Sequence, residues 1–268
     1  MIDGLVSIIT PLYDSGKYIA QTIESVQAQT YTNWEMLITD DCSTDDGPAI
    51  VERYAASDSR IRLFRSDRNG GPGIARNNSL KEANGRYIAM LDSDDRWLPD
   101  KLEKQLDFMK SNGYGIVYSS YYLCGEENDM INGIIVSPSR ITYKRILVDD
   151  SIGFLTMLYD RSKTGDMMIP ELRKRQDWGL KILLMRNCPD AFGIKKPLAI
   201  YRKRQGSVSR NKLSLIKYNR AIYMDVLDYS SFRATVMMLF VFLPFNLVKK
   251  TSQFLRNLFF NPQKGELF

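Results

Sequence analysis

Apolar segments of strand length alternate with helical patterns through the first part of the chain. The strand-like runs are residues 5–13, 34–43, 61–66 and 87–91, and each is followed by a segment such as 15–30 that places apolar residues at helical spacing. This alternation is typical of right-handed βαβ units, which build a parallel sheet. The sequence therefore predicts an α/β fold with a mostly parallel central sheet flanked by helices.

Three of the predicted strands end in polar or acidic residues. The residues at these ends are 11–14, 40–41 and 92–95. Ligands of parallel sheets bind outside the carboxyl ends of the strands, so we expect these residues to lie along one edge. Asp92 and Asp94 form an Asp-x-Asp pair, and such oxygen ligands suit Mg²⁺ or Mn²⁺ together with a substrate phosphate. A helix cap or a hydrated turn is the alternative, because a helical pattern follows at 98–113.

Composition narrows the chemistry. The chain has no histidine, which excludes Ser-His-Asp and Cys-His catalysis and His-ligated zinc, so a general base has to be another residue, with carboxylates the obvious choice. An ordinary NTPase would have a Walker sequence, and an NAD enzyme would have a strand-linked G-x-G-x-x-G pattern. The chain has neither, which excludes both classes of enzyme. Three widely spaced cysteines and the lack of a secretory signal predict a cytoplasmic protein.

The C-terminal part is basic and partly apolar. Residues 201–268 hold 12 Lys and Arg against 3 Asp and Glu, a net charge of +9, whereas the rest of the chain carries −3. Within this part, residues 234–248 are mostly apolar, a stretch shorter than the ~20 residues that span a bilayer. The flanking basic residues are Arg233, Lys249, Lys250 and Arg256. We predict a helix that lies in a membrane interface, with a core or dimer helix as the alternative.

Three segments, in this order and spacing, resemble the family 2 glycosyltransferases, inverting enzymes of the GT-A fold. The segments are VSIITPLYDSGKYIAQTIESVQAQTYTNWEMLITDDCSTD, NGGPGIARNNSL and GRYIAMLDSDDRWLPDKL. The resemblance is strong over residues 5–115 and continues weakly to about 210. It implies a GT-A domain over 1–213, with a nucleotide-sugar-binding half (1–115) and an acceptor half (116–213). A helical membrane-associating extension, residues 214–268, would follow.

The resemblance implies a donor site at the predicted edge of the sheet. Pro11 and Tyr13 are similar to residues that contact uracil in the family, and Asp41 is similar to the aspartate that reads the base. Arg76 is similar to an arginine near the base and the phosphates. In the Asp-x-Asp segment, donor contacts are expected from Asp92 and Ser93, and ligation of Mn²⁺ or Mg²⁺ from Asp92 and Asp94.

An acceptor site is implied in the second half of the chain. Asp177 stands where the family usually has a Glu-Asp pair, with Gln176 in place of the glutamate, and is our candidate general base; a helix N-cap is the alternative. Trp178 is the candidate platform for the acceptor, and a core position is its alternative. Many relatives have a histidine in a later loop. This chain has cationic side chains in that loop instead, and we expect them to hold the leaving phosphate or an acceptor phosphate. The residues of this loop are Arg202, Arg204 and Ser207.

The predicted function is transfer of a hexose, with inversion, from a UDP-sugar to a glycan or a polyprenyl-diphosphate-linked acceptor in bacterial surface polysaccharide synthesis of the O-antigen or capsule type. We expect peripheral association with the inner face of the cell membrane and a homodimer, and no nucleic-acid partner. Two alternatives remain, a nucleotidyltransferase that makes a nucleotide-sugar and a non-catalytic nucleotide-sugar-binding module. The first usually has a glycine-rich basic signature after strand one, which this chain lacks.

Overall fold

The chain folds into a central sheet between two layers of helices. The computed structural model describes residues 1–126, 130–204, 212–258, 260–261 and 266–267. The strands are β1 (Ile2–Leu12), β2 (Trp34–Asp40), β3 (Ile61–Arg65), β4 (Gly85–Met90), β5 (Arg96–Trp97), β6 (Ile116–Cys124), β7 (Ile131–Ile135), β8 (Arg140–Thr142), β9 (Leu158–Asp160), β10 (Asp190–Arg202), β11 (Phe260–Asn261) and β12 (Glu266–Leu267). The helices are α1 (Gly16–Gln27), α2 (Gly47–Ser57), α3 (Pro72–Lys81), α4 (Lys101–Asn112), α5 (Tyr143–Ile146), α6 (Arg161–Thr164), α7 (Gln176–Asn187), α8 (Lys212–Ala221), α9 (Ser231–Val236) and α10 (Leu243–Leu258), with a 3₁₀ turn at Phe154–Thr156 and π-helical turns at Ile222–Val226 and Met237–Phe242.

Among the described residues, ten strands form one mixed sheet, in which eight follow the order β3-β2-β1-β4-β9-β6-β10-β5. β1 runs parallel to β2 and β4, and β3 runs parallel to β2, whereas β9 is antiparallel to β4 and β6. Leu12 lies opposite Asp40, and Ile9 lies opposite Met90. This register brings the carboxyl ends of β1, β2 and β4 to one edge. The predicted α/β class and the predicted edge are both confirmed.

Each face of the sheet carries its own apolar core, which explains the continuous apolar run in β1. Val6 and Ile8 pack with α1, α2 and α4, while Ile9 lies in the core on the other face, with α3 and α7. All three side chains are completely buried. A strand that is covered on both faces loses the usual polar alternation, because neither side meets water.

The C-terminal helices pack into the second of these cores. The Trp178 ring of α7 lies 5.8 Å from the Tyr223 ring and 5.0 Å from the Phe242 ring, centroid to centroid. Tyr223 also donates a hydrogen bond from its hydroxyl to the carbonyl of Leu147 at 2.7 Å. These contacts fix the C-terminal helices against the body of the protein.

The last apolar segment forms a longer helix than its sequence indicates. Among the described residues, one helical stretch, Ser231–Leu255, has 25 residues, and an 18-residue window within it has a mean hydropathy of 1.6. It is long and apolar enough to cross a bilayer by these two measures. The helix is longer than the apolar run 234–248 because it continues through Pro244 and past the basic residues that follow, while the predicted association with a membrane interface stays a prediction.

At Gly85 the backbones of β4 and β1 come close together. A Cβ atom on Gly85 would lie 2.6 Å from the carbonyl oxygen of Leu5 and 2.8 Å from the backbone nitrogen of Ser7. We expect Gly85→Ala to lower the free energy of unfolding by about 1–3 kcal/mol, because backbone atoms have to move apart. The measurement is urea denaturation followed by circular dichroism.

Gly73→Ala in α3 is the matched control. Its added Cβ would meet its nearest neighbour, a carbon of Gln176, at an ordinary 3.5 Å. Alanine also favours a helix over glycine, so stability should be unchanged or slightly higher. Equal losses in the two variants would contradict the steric explanation.

Candidate functional site

A cleft of about 2050 Å³ runs along the edge of the sheet where β1, β2 and β4 end. Ten of the twelve predicted site residues line it, and the other two are Trp178 and Ser207. The ten are Pro11, Tyr13, Asp41, Arg76, Asp92, Ser93, Asp94, Asp177, Arg202 and Arg204. The parallel strand order thus brings together residues from both halves of the chain. Ser207, the remaining residue of the predicted cationic loop, lies outside the described residues.

Asp41 fixes the glycine turn that precedes α3. Its two carboxylate oxygens accept hydrogen bonds from the backbone N–H groups of Gly70 at 2.9 Å and Gly71 at 2.7 Å. Gly71 adopts a φ of +83°, in the left-handed region that favours glycine. Nearby Tyr13 is half-exposed, and the charge of Asp14 raises the pKa of its phenol. This end of the cleft therefore offers an aromatic side chain beside a rigidly held carboxylate.

Each acidic residue of the 92–95 turn contacts an arginine from a distant part of the chain. Arg76 of α3 is buried and forms an ion pair with Asp92. A guanidinium nitrogen of Arg204 lies 3.2 Å from Asp94 Oδ2. The backbone N–H of Arg202 donates to Asp95 Oδ1 at 2.9 Å. Three arginines thus offset the mutual repulsion of the carboxylates.

The negative charge of this turn is still incompletely neutralised. Burial raises the pKa of Asp94, and the neighbouring charge of Asp92 raises it further. Burial likewise raises the pKa of Asp95 well above its usual range, and the charge of Asp94 adds to this. Within the described part of the chain, the buried Oδ2 atom of Asp95 has no hydrogen-bond partner. The electrostatics therefore favour binding of a further cation.

The turn is suited to a divalent ion that is coordinated partly by the protein and partly by a substrate phosphate. Among the described residues, no group of three or more His, Cys, Asp and Glu side chains is arranged to hold a metal by itself. Mg²⁺ and Mn²⁺ commonly take only one or two carboxylates and complete their shell with phosphate and water. Asp92 and Asp94 provide two such groups facing the cleft.

A second charged cluster surrounds Asp177 in the first turn of α7. Its Oδ2 atom lies 3.2 Å from Nζ of Lys181, which lies 2.7 Å from Oδ1 of Asp150. Arg175 approaches the other oxygen of Asp150 at 3.6 Å. Lys181 is buried, whereas the Asp177 side chain keeps 33% of its surface exposed. The cluster thus leaves one carboxylate open to the cleft.

The balance of charges keeps Asp177 ionised. Burial raises the pKa of Asp177, but the cations Lys181 and Arg175 outweigh burial, and the net pKa lies below its usual range. Burial lowers the pKa of Lys181, but Asp150 and Asp177 outweigh it and leave a raised pKa. Because Arg175 occupies the N-cap position of α7, the alternative interpretation of Asp177 as an N-cap is wrong.

One sequence-based expectation for the acceptor side needs correction, and the core position named as the alternative for Trp178 is the one observed. Trp178 cannot stack on an acceptor, because its side chain is completely buried and its Nε1 donates to the carbonyl of Ile146 at 2.7 Å. Arg202 lies beside the acidic turn, where its Nε donates to the Asp94 carbonyl at 3.1 Å. Since Arg204 also contacts Asp94, both arginines belong to the end of the cleft with the acidic turn, and their expected role of holding the leaving phosphate stays a prediction.

Sequence reasoning missed Asp150, Arg175 and Lys181. Lys181 follows Asp177 by four residues in a helix, a spacing that brings the two side chains to one face and could have identified the pair. Asp150 stands in an irregular segment with no periodic signal, so only the tertiary structure places it there.

Removing the shared cation tests this cluster. Lys181→Met leaves Asp150 and Asp177 without their common partner, so we expect a loss of about 3–5 kcal/mol in unfolding free energy. The pKa of Asp177 should rise, because the neighbouring positive charge is lost. Denaturation measures the first effect, and carboxyl NMR titration measures the second.

The double variant Lys181→Met/Asp150→Asn is the control for uncompensated charge. It removes one carboxylate together with the lysine, so part of the lost stability should return. If the double variant is less stable than Lys181→Met alone, the charge explanation is incorrect.

The chain is similar to known proteins over most of its length. The model of the family described as Glycosyl transferase family 2 matches residues 7–157. TuaG of Bacillus subtilis, named as a teichuronic acid biosynthesis glycosyltransferase, is 39% identical over 86% of this chain and 92% of its own length. WfgD of Escherichia coli, a UDP-Glc:alpha-D-GlcNAc-diphosphoundecaprenol beta-1,3-glucosyltransferase, is 37% identical over 85% of this chain and 88% of its own.

Solved structures share the fold at lower identity. Residues 1–349 of S. aureus TarS in complex with UDP-GlcNAc superpose with a TM-score of 0.66 and 23% identity, over 87% of this chain and 70% of that one. The mannosyltransferase PcManGT from Pyrobaculum calidifontis, in complex with GDP-Man and Mn²⁺, gives a TM-score of 0.66 at 15% identity, over 87% and 69%. These likenesses establish the architecture.

Proposed function

This chain belongs to glycosyl transferase family 2 and has the GT-A fold, and we propose that it catalyses the following sugar transfer. A hexose is transferred from a UDP-sugar to a hydroxyl of a glycan or of a polyprenyl-diphosphate-linked acceptor, with inversion at the anomeric carbon. The observation that carries the proposal is one cleft that joins the acidic turn and its arginines to the ionised Asp177. The names of TuaG and WfgD, which give teichuronic acid biosynthesis and a diphosphoundecaprenol acceptor for those proteins, support it.

The donor nucleotide would occupy the end of the cleft at β1 and β2. Tyr13 and Pro11 provide contact surface for uracil, and Asp41 provides a fixed acceptor for the N–H group of the base. The diphosphate would then reach Arg76 and the turn that carries Asp92. The UDP-Glc in the name of WfgD and the UDP-GlcNAc bound to TarS support a uridine donor.

Positive charge at the acidic turn would stabilise the departing UDP. Asp92 and Asp94 would hold Mn²⁺ or Mg²⁺, as the Mn²⁺ in the complex of PcManGT suggests by analogy. Such an ion, when bound, neutralises charge on the diphosphate. Arg76 and Arg204 lie beside the same carboxylates and provide fixed positive charge where negative charge develops during the reaction.

Asp177 would act as the general base. Its carboxylate accepts the proton of the acceptor hydroxyl, and Lys181 keeps it ionised and oriented. The acceptor oxygen bonds to the anomeric carbon on the face opposite the diphosphate. The bond from that carbon to the diphosphate oxygen breaks, and its electron pair leaves with UDP. A single displacement inverts the anomeric configuration.

The C-terminal helices would hold the protein at the inner face of the cell membrane. The helix Ser231–Leu255 exposes large apolar side chains, among them Phe232, Phe240 and Phe254, to the surroundings. Exposed aromatic residues next to basic ones suit a layer of anionic lipid headgroups over hydrocarbon. Ala234 and Met238 of the same helix are buried against the protein, which favours a helix that lies on the surface of the membrane.

Donor binding tests the first half of the proposal. Calorimetry should show that Mn²⁺ tightens UDP binding and that EDTA abolishes the effect. Asp94→Asn should weaken the metal-dependent binding by about tenfold or more, because one of two carboxylate ligands is lost. Asp107→Asn, an exposed position of α4 away from the cleft, is the matched control and should bind like the wild type. Tighter binding of GDP or dTDP than of UDP would overturn the choice of donor.

Removal of the proposed general base, Asp177, tests the catalytic step of the proposal. Asp177→Asn should lower kcat by a factor of about 10²–10⁴ and leave UDP affinity unchanged, because the acceptor hydroxyl loses its proton acceptor. Glu171→Gln removes a carboxyl from the same cleft and should keep most of the activity. NMR of the product from the wild type should show an inverted anomeric carbon, and a retained configuration contradicts the mechanism.

A further inference from the structure

The cleft does not end at Asp177 but continues to α10, which forms one of its walls. The residues of this wall are Pro244, Phe245, Val248, Lys250, Ser252 and Gln253. Hydrogen bonds to two segments of the body hold the helix in place, and one of them runs from the Ile134 N–H to Asn257 Oδ1 at 3.2 Å. Asn246 Nδ2 donates to the carbonyl of Val148 at 3.1 Å, and Gln253 Nε2 donates to the carbonyl of Ile134 at 2.6 Å. The wall is therefore attached to the body of the protein at two points.

This wall combines exposed apolar surface with positive charge. Val248 keeps 72% of its surface exposed, and Phe245 keeps 38%. The guanidinium of Arg145 lies 5.9 Å from the centre of the Phe245 ring, and Lys250 is exposed in the same wall. A nucleotide or a free sugar has no apolar chain to cover Val248. A ligand with both an apolar chain and an anionic group matches the surface.

The wall connects to the proposed base through two neighbouring residues. Asp149 accepts a hydrogen bond from Nε of Arg145 at 2.9 Å, and Asp150 contacts Lys181, the partner of Asp177. The segment that positions Arg145 therefore also positions the charged cluster around Asp177. A single acceptor molecule can present its hydroxyl to the base and extend its other end towards α10.

We propose that this wall binds the phosphate and the first apolar units of a lipid-linked acceptor. Arg145 and Lys250 contact the phosphate, and Phe245 and Val248 contact the adjoining hydrocarbon. The inference rests on the proposed function, because it assigns the acceptor of that reaction to a polyprenyl phosphate class and gives it a subsite.

Farnesyl diphosphate, a short polyprenyl diphosphate, is the probe for this subsite. Binding is measured by calorimetry with saturating UDP and Mn²⁺, so that the donor end is already filled. The wild type should bind farnesyl diphosphate more tightly than inorganic diphosphate or farnesol. This comparison separates a lipid phosphate from a free phosphate and from a purely apolar ligand.

Two adjacent positions of α10 provide matched variants. Val248 and Leu247 are exposed to similar extents, 72% and 69%, but only Val248 lines the cleft. Val248→Asp should weaken binding of farnesyl diphosphate by about tenfold or more, while Leu247→Asp should bind like the wild type. Lys250→Glu should also weaken binding and reduce the preference over farnesol. UDP affinity, unchanged in all three, shows that they are folded.

Several results would overturn the inference. Equal weakening by Leu247→Asp and Val248→Asp would mean that the helix acts only as a general apolar surface. Farnesyl diphosphate that binds no better than inorganic diphosphate would exclude a lipid subsite. UDP binding to the wild type is measured first, and its absence with Mn²⁺ would reject the proposed function itself and this inference with it.

Discussion

The parallel pairing of β1 with β2 and β4 forces acidic residues of like charge to one edge of the sheet, and the rest of the site compensates for that constraint. Arg76 reaches the turn from α3, and Arg202 and Arg204 reach it from the end of β10, more than 100 residues along the chain. The Arg202 contact requires β10 to be in the sheet next to β5, since its backbone N–H bonds to Asp95. The second half of the sheet is therefore needed to hold the arginines that stabilise the acidic turn of the first half.

Two groups of carboxylates in one cleft have pKa values shifted in opposite directions. At the acidic turn, burial and mutual repulsion raise the pKa values of Asp94 and Asp95, because the local positive charge is insufficient. Around Asp177, the nearby cations outweigh burial, and the pKa falls. Environments that separate carboxylates in this way assign them different roles. The first group can take up a further cation, whereas Asp177 remains an ionised, open carboxylate.

The α/β class and the shared edge could be predicted because strand ends and helical spacing are local signals. The family resemblance supplied the individual roles, which stay predictions, whereas the ion pair of Arg76 with Asp92 was visible only in the structure. Trp178 could not be placed correctly, since apolar residues surround α7 and only the packing of the C-terminal helices decides which of them meets water. The length of the last helix could not be predicted from the sequence either. Pro244 suggests a break, but the π-helical turn Met237–Phe242 ends two residues before it and the helix continues.

Asp177 faces the cleft, and the next residue, Trp178, lies in the core against Phe242, the residue directly before α10. The spacing between Asp177, the proposed base, and the α10 wall is therefore set by interior packing rather than by a hinge. A molecule that touches both has to span that spacing. For the proposed acceptor, this fixed spacing would act as a molecular ruler that selects by the length between the reacting hydroxyl and the phosphate, as well as by the identity of the sugars.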